Sequence, residues 1–133
     1  MTAQTPTRPA EGLTERFDPT ACLDEQMRLK ARPPADLEPG RYLEVQGLEQ
    51  TLLIPLGEQP MHIGRGLAAE LHLDENSVSR RHAILVPGAE GAQILDDRSA
   101  NGTIVNGRRV QQAQLSNGDV IALGRVTLRY LEL

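Results

Sequence analysis

Short runs of β-forming residues, several of them alternating hydrophobic and polar positions, recur along most of this chain. The clearest runs are residues 42–46, 83–86 and 126–130. Gly, Pro, Asn and Asp bound these runs, as expected of turns between strands. Asn-Gly, a dipeptide favoured where both central residues of a turn have positive φ, occurs three times, at 101–102, 106–107 and 117–118. The pattern predicts an all-β fold, a twisted antiparallel β-sandwich, over residues 41–133.

The first 40 residues have a different composition. They hold most of the prolines and almost no β-branched apolar residues, so they cannot bury enough surface to fold alone. We expect residues 1–40 to be a largely disordered tail and residues 41–133 to be the folded domain. A short helix is predicted around residues 20–32, where acidic residues come early and basic residues late, matching the helix dipole. Its weak apolar stripe, suited to docking on a partner or on the domain, consists of Leu23, Met27 and Ala31.

Composition excludes several classes of function. The net charge of −4 argues against general affinity for nucleic acid or for anionic membranes, because both need a basic field. Cys22 is the single cysteine, so no intrachain disulfide can form. The first residues do not resemble a signal peptide, and no apolar run is long enough to span a membrane. We therefore expect a cytoplasmic protein, monomeric by default, with no cofactor, no nucleic-acid partner and no membrane insertion.

Three polar clusters at strand edges or in loops carry the candidate chemistry. They are Gly64-Arg65, residues 77–82 and residues 99–103. Together they offer guanidinium, hydroxyl and carboxamide groups, which are the donors that a dianionic phosphate ester and its peptide require. Arginine suits this task better than lysine, because its planar fork can meet two phosphate oxygens at once.

The ordered set Gly-Arg, Ser-Arg-x-His and Asn-Gly-Thr-x-x-Asn-Gly resembles the forkhead-associated (FHA) domain, over roughly residues 41–133. The resemblance implies an FHA/SMAD-like β-sandwich that binds phosphothreonine peptides through loops at one end. The ligand contacts it implies are Arg65, Ser79, Arg80 and Asn101. The residues for which it implies structural roles in loops are Gly64, His82, Gly102 and Asn106. Ala100 departs from relatives that carry a polar side chain there, since it can offer only its backbone.

These features predict a signalling adaptor or regulator that binds phosphothreonine proteins downstream of a Ser/Thr protein kinase. The chain is similar to small bacterial FHA regulators that carry phosphorylatable N-terminal tails, although their paired-threonine motif is absent here. Thr14 and Thr20 are the preferred tail phosphosites, because Phe17 and Leu23 lie three residues on, where the family commonly reads a side chain. The alternative is a phosphate-independent interaction module, whose sandwich face or tail helix recruits a partner.

Enzymatic and metal-binding functions are not expected. Ser79, His82 and a nearby aspartate could form a hydrolase triad, but no nucleophile-elbow pattern surrounds the serine. Residues 96–98 are interpreted instead as a solvated turn, and Arg81 as solvent-facing. The three histidines, His62, His72 and His82, match no metal-site spacing.

Overall fold

The computed structural model describes residues 17–35 and 37–133, and its main feature is a β-sandwich of two sheets. The strands are β1 Arg41–Gln46, β2 Thr51–Pro55, β3 Met61–Gly64, β4 Leu71–His72, β5 Ala83–Gly88, β6 Gly91–Asp96, β7 Thr103–Val105, β8 Arg108–Val110, β9 Gln112–Leu115, β10 Val120–Leu123 and β11 Val126–Glu132. One sheet has the order β2-β1-β11-β10-β7-β8, and the other has the order β4-β3-β5-β6-β9. The predicted all-β sandwich is thereby confirmed, and the three predicted runs lie in β1, β5 and β11. All strand pairs are antiparallel except β3 with β4.

The core lies between the sheets and is mainly aliphatic. Along β11, Val126, Leu128 and Tyr130 are buried, whereas Thr127 and Arg129 between them are exposed. This alternation is the period-two pattern of a strand that covers a core on one face. Leu, Ile and Val dominate the fully buried side chains, and each contributes about 1.5–3 kcal/mol through removal of its surface from water.

The Asn-Gly turns are not all of one kind. Asn106 and Gly107 have φ angles of 51° and 84°, as a tight hairpin between β7 and β8 requires. In the pairs 101–102 and 117–118, only the glycine has positive φ. The asparagine side chains there make longer-range hydrogen bonds: Asn101 donates to the Ser77 carbonyl, and Asn117 accepts from the Glu132 amide.

Residues 17–35, which we call the strap, run from the edge strand of one sheet to the edge strand of the other. Leu23 pairs with Leu73, just after β4, and Arg32 pairs with Leu53 in β2. A 3-10 helix, Pro19–Cys22, and helix α1, Glu25–Lys30, lie in the strap. The strap thus bridges the two sheets at their edges.

Local capping explains both helical turns. The Asp18 carboxylate accepts a hydrogen bond from the Thr20 amide at 3.0 Å, and the Asp24 carboxylate accepts one from the Met27 amide at 2.8 Å. These are N-caps of the usual kind, which satisfy amides that have no partner within the helix. The helix predicted around residues 20–32 is therefore present in a shorter form. Within the described residues, no helix is long and apolar enough to cross a bilayer.

The strap contributes side chains to the hydrophobic core. Cys22, Leu23 and Met27 are buried there, with 6%, 4% and 4% of their surfaces exposed. The strap also packs closely on the segment just after β1, because a Cβ atom added to Gly47 would lie 2.4 Å from the Asp18 Oδ1 atom. The domain boundary at residue 40 stays a prediction, but these contacts make the described strap part of the packed structure.

We expect Met27→Ala to lower the free energy of unfolding by about 2–5 kcal/mol, because it removes buried apolar surface and leaves a cavity. Leu29→Ala is the matched control, since Leu29 lies in the same helix with 80% of its surface exposed. The control should change stability by about 0.5 kcal/mol or less. Urea unfolding of the full chain measures both, and equal effects would contradict docking of the strap.

Candidate functional site

Three loops meet at one end of the sandwich and carry the residues implicated by the sequence. One loop follows β3, one precedes β5 and one connects β6 to β7. The Arg65 amide donates to the Ser79 carbonyl at 2.9 Å, and the Gly66 amide donates to the Arg80 carbonyl at 3.0 Å. The Ala100 amide donates to the Ser79 hydroxyl oxygen at 2.9 Å. Two backbone hydrogen bonds and one to the Ser79 side chain therefore fix the loops relative to one another.

Gly64 allows the first two loops to approach this closely. A Cβ atom at this position would lie 2.1 Å from the Arg80 carbonyl oxygen, well inside contact distance. The φ angle of Gly64 is not positive, so glycine is needed here for space and not for a left-handed backbone. The role in loop shape implied by the resemblance is consistent with this contact.

Arg65 is half-buried and held in a fixed orientation. Its Nε atom donates to the Val78 carbonyl at 3.1 Å, and its own carbonyl oxygen accepts from His72 Nε2 at 2.9 Å. Among the described residues, the Nε contact is the one side-chain hydrogen bond of Arg65. The two terminal nitrogens of its guanidinium are thus available to an anion.

Ser79 and Arg80 lie on the loop to which the Arg65 and Gly66 amides are bonded. The Ser79 oxygen accepts from the Ala100 amide, so its hydroxyl hydrogen is available to donate to a ligand. Arg80 is exposed, and within the described part of the chain its side chain has no hydrogen-bond or ion-pair partner. Two loops that are hydrogen-bonded to each other therefore carry one neutral donor and two guanidinium groups.

His82 is fully buried and connects two of the loops. Its Nδ1 atom accepts from the Ser79 amide at 3.0 Å, and its Nε2 atom donates to the Gly102 carbonyl at 2.9 Å. This pair of bonds requires the neutral tautomer protonated on Nε2. The histidine bonds the Ser79 amide and not its hydroxyl, so the two do not form the nucleophile and base of a triad.

Asn101 is exposed at the rim of the site. Its side-chain nitrogen donates to the Ser77 carbonyl at 2.8 Å, which leaves the carboxamide oxygen exposed. The Ser77 hydroxyl in turn donates to Glu75 at 2.7 Å and accepts from the Arg125 amide at 2.8 Å. Glu75 and Ser77 therefore position Asn101 from behind, a support that sequence reasoning missed.

The solvated turn predicted at residues 96–98 is wrong for Asp96, which is half-buried at the end of β6. Its carboxylate accepts hydrogen bonds from the hydroxyls of Ser99 and Thr103, at 2.5 and 2.8 Å, and from the Ser99 amide. Partial burial opposes ionisation, but these hydrogen bonds prevail and lower the pKa of Asp96 below its ordinary value. An aspartate three residues before a serine was the local signal for this loop-bracing role.

The remaining predicted residues lie elsewhere. Asn106 braces the β7–β8 turn, where its side chain bonds Asp119 and the Val120 amide. Thr20 is buried, with 1% of its surface exposed, and its hydroxyl donates to Asp18 at 2.7 Å. Thr14 lies outside the described residues.

Arg81 and the other histidines have partners of their own. Arg81 is exposed and donates to both oxygens of Asp97, at 3.0 and 3.2 Å. His62 pairs with Glu70, and His72 bonds the Arg65 carbonyl. In residues 17–35 and 37–133, no group of three His, Cys, Asp or Glu side chains converges in a way that could hold a metal ion.

Comparisons with known proteins agree with this geometry. The FHA domain family matches residues 61–124. A solved structure described as an analysis of phosphothreonine-dependent FHA domain interactions is 36% identical, with a TM-score of 0.63, and the match covers 70% of this chain and 96% of that one.

Two curated relatives are named as regulatory proteins. The glycogen accumulation regulator GarA of Mycolicibacterium smegmatis is 42% identical over 69 residues, which are 51% of this chain and 43% of GarA. The oxoglutarate dehydrogenase inhibitor of Corynebacterium jeikeium is 36% identical over 76 residues, which are 57% of this chain and 53% of the inhibitor. The chain spans about half the length of these relatives. With its sandwich fold and its ordered loop motifs, the chain belongs to the forkhead-associated (FHA) family.

Proposed function

We propose that this protein binds phosphothreonine in partner proteins and acts as an adaptor or regulator downstream of a Ser/Thr protein kinase. The observation that carries the proposal is that Arg65 and Ser79, on two loops bonded to each other, both keep side-chain donors that no described residue uses. In this proposal Arg65, Ser79 and Arg80 bind the phosphate, and Asn101 bonds the peptide backbone.

The charge balance supports a phosphorylated ligand over an acidic one. A phosphate ester carries about −1.5 to −2 charge at pH 7 and three strong acceptor oxygens, whereas a carboxylate offers one charge. Charge-assisted hydrogen bonds from guanidinium groups are roughly twice as strong as neutral ones. Because the chain as a whole is acidic, such a basic surface has to be local to attract an anion.

A concavity next to Arg80 gives room for the residues that flank the phosphothreonine. Leu67 and Ala69 contribute apolar surface to it, and Glu70 and Asp97 contribute carboxylates. It shares Arg80 and Asp97 with the groove beside Ser79. This continuity supports binding of an extended peptide rather than of a small phosphorylated molecule.

The strap leads toward the proposed binding end, which supports regulation by the tail. The Phe17 ring lies 4.0 Å from the Arg125 guanidinium, and the Arg125 amide bonds the same Ser77 that positions Asn101. Thr14 is three residues before Phe17, a span of about 10 Å at most. In the proposed switch, a phosphorylated tail threonine occupies the site of its own domain and excludes partners.

We expect Arg65→Ala to weaken binding of a phosphothreonine peptide by about 30-fold or more, because the phosphate loses its best-aligned cation. Fluorescence anisotropy with a phosphothreonine peptide library and its unphosphorylated twin measures the effect. The matched control is Arg108→Ala, since Arg108 pairs with Val105 at the end of the β7–β8 hairpin remote from Gly102. Partner binding that survives Arg65→Ala would support a phosphate-independent module instead.

Asp96 should make the binding loops sensitive to acid. Because its pKa is lowered in the folded protein, its ionised form stabilises the fold above its ordinary pKa of 3.8. That contribution is lost as the pH falls through the lowered value. We expect Asp96→Asn to cost about 1–3 kcal/mol at pH 7 and progressively less below pH 4.

Urea unfolding of wild type and Asp96→Asn between pH 7 and pH 3 measures this difference. Asp74→Asn is the control, because Asp74 is exposed and its carboxylate bonds no described residue. A difference between wild type and Asp96→Asn that does not change with pH would show that the carboxylate does not carry the effect.

The tail switch predicts different behaviour for its two candidate threonines. Thr20 is a buried residue of the docked strap, so we expect a threonine kinase to modify Thr14 in the folded chain and to leave Thr20 unmodified. Mass spectrometry identifies the modified residue. Thr14→Ala should then restore peptide binding to kinase-treated protein, whereas Thr20→Ala should not. If alanine at both positions leaves tail closure unchanged after kinase treatment, the switch is wrong.

A further inference from the structure

Arg98 has an unusual backbone conformation for its residue type. Among the described non-glycine residues, Arg98 and Asn106 have positive φ angles, 60° and 51°. Asparagine adopts this left-handed region readily, whereas a long side chain such as arginine is disfavoured there. Strained residues of this kind concentrate at binding sites, where the surrounding structure holds them in place.

The neighbours of Arg98 hold its backbone in this state. The Asp97 amide donates to the His82 carbonyl at 2.8 Å, and the Ser99 amide donates to the Asp96 carboxylate at 3.2 Å. Arg98 lies between these two fixed points. Its conformation is therefore imposed by the same contacts that build the β6–β7 loop.

This conformation puts Arg98 at the wall of the proposed binding groove. Ser79 and Arg80 line the same groove, together with Arg81 and Asp97. Arg98 is exposed, and within the described ranges its side chain has no hydrogen-bond or ion-pair partner. A cation without a partner thus stands beside the proposed phosphate ligands.

The positive charge of Arg98 is not offset by the other charged groups of the groove or by the phosphate. Asp97 is bound through both carboxylate oxygens to Arg81, so those two charges offset each other. Arg65 and Arg80 suffice for a phosphate of about −1.5 to −2 charge. The positive charge of Arg98 remains for a second anionic group of the ligand.

We propose that Arg98 is a specificity-determining residue that binds an acidic side chain flanking the phosphothreonine. This inference rests on the proposed function and adds the class of ligand, an acidic phosphothreonine peptide. The glutamate or aspartate lies within about three residues of the phosphothreonine, since an extended peptide advances about 3.3–3.6 Å per residue. The contact is solvent-exposed, so its contribution falls as salt concentration rises.

The test uses the full chain and synthetic phosphothreonine peptides with an alanine-serine background, in which one aspartate occupies each position within three residues on either side. Arg98→Gly suits the backbone conformation and removes the charge. We expect it to lower affinity for the best aspartate peptide by about two- to fivefold, with no change for the uncharged peptide. Arg98→Asp should reverse the preference, so that a lysine at the same peptide position binds better than aspartate.

Thermal unfolding gives a second readout that a purely structural residue would not share. Because glycine relieves the left-handed strain, Arg98→Gly should keep or raise the midpoint of unfolding while it loses selectivity. Arg108→Gln, a charge-matched control in the remote hairpin, should leave both peptide preferences intact. Wild type that binds phosphopeptides without preferring aspartate, or Arg98→Gly that keeps the preference, would overturn the role of Arg98 and leave the proposed function standing. Failure of wild type to bind any phosphopeptide would overturn both.

Discussion

The imidazole of His82 makes the contacts on which the geometry of the proposed binding end depends. It sits between the Ser79 amide and the Gly102 carbonyl, and so fixes the loop before β5 against the loop before β7. Buried polar groups cost free energy when they lose a partner, which makes this two-sided bond a strong constraint on both loops. Gly64 adds to this constraint, because its lack of a side chain lets the loop after β3 approach the Arg80 carbonyl. The residues that we propose as ligand contacts, on three separate loops, can therefore keep a fixed mutual geometry.

Support for the site also comes from residues that do not face a ligand. Asp96 gathers the Ser99 and Thr103 hydroxyls, while Glu75 holds Ser77 behind Asn101. Both carboxyls have lowered pKa values, for Glu75 chiefly through the hydrogen bonds from Ser77. Some of the acidic residues of the chain thus stabilise the loops that carry the basic residues. An overall charge of −4 does not reveal that arrangement.

Sequence reasoning succeeded where the signal was local. Period-two alternation identified strands such as β11, and the ordered motifs identified the family. It failed where the deciding contact is distant along the chain. The stripe of Leu23 and Met27 left open whether the segment docks on the domain or on a partner, because the apolar surface that buries it belongs to strands from another part of the sequence. The strain at Arg98 was likewise invisible, since it follows from bonds that its neighbours make to His82 and Asp96.

The pairing of the strap with β2 has a consequence for solubility. The outer edge of a terminal strand presents amides and carbonyls that can recruit another strand and start aggregation. On β2, the Leu53 amide and carbonyl are both bonded to Arg32, and the next outward position, Pro55, has no amide hydrogen to offer. The strap thereby closes an edge at which copies of a small β protein could otherwise join.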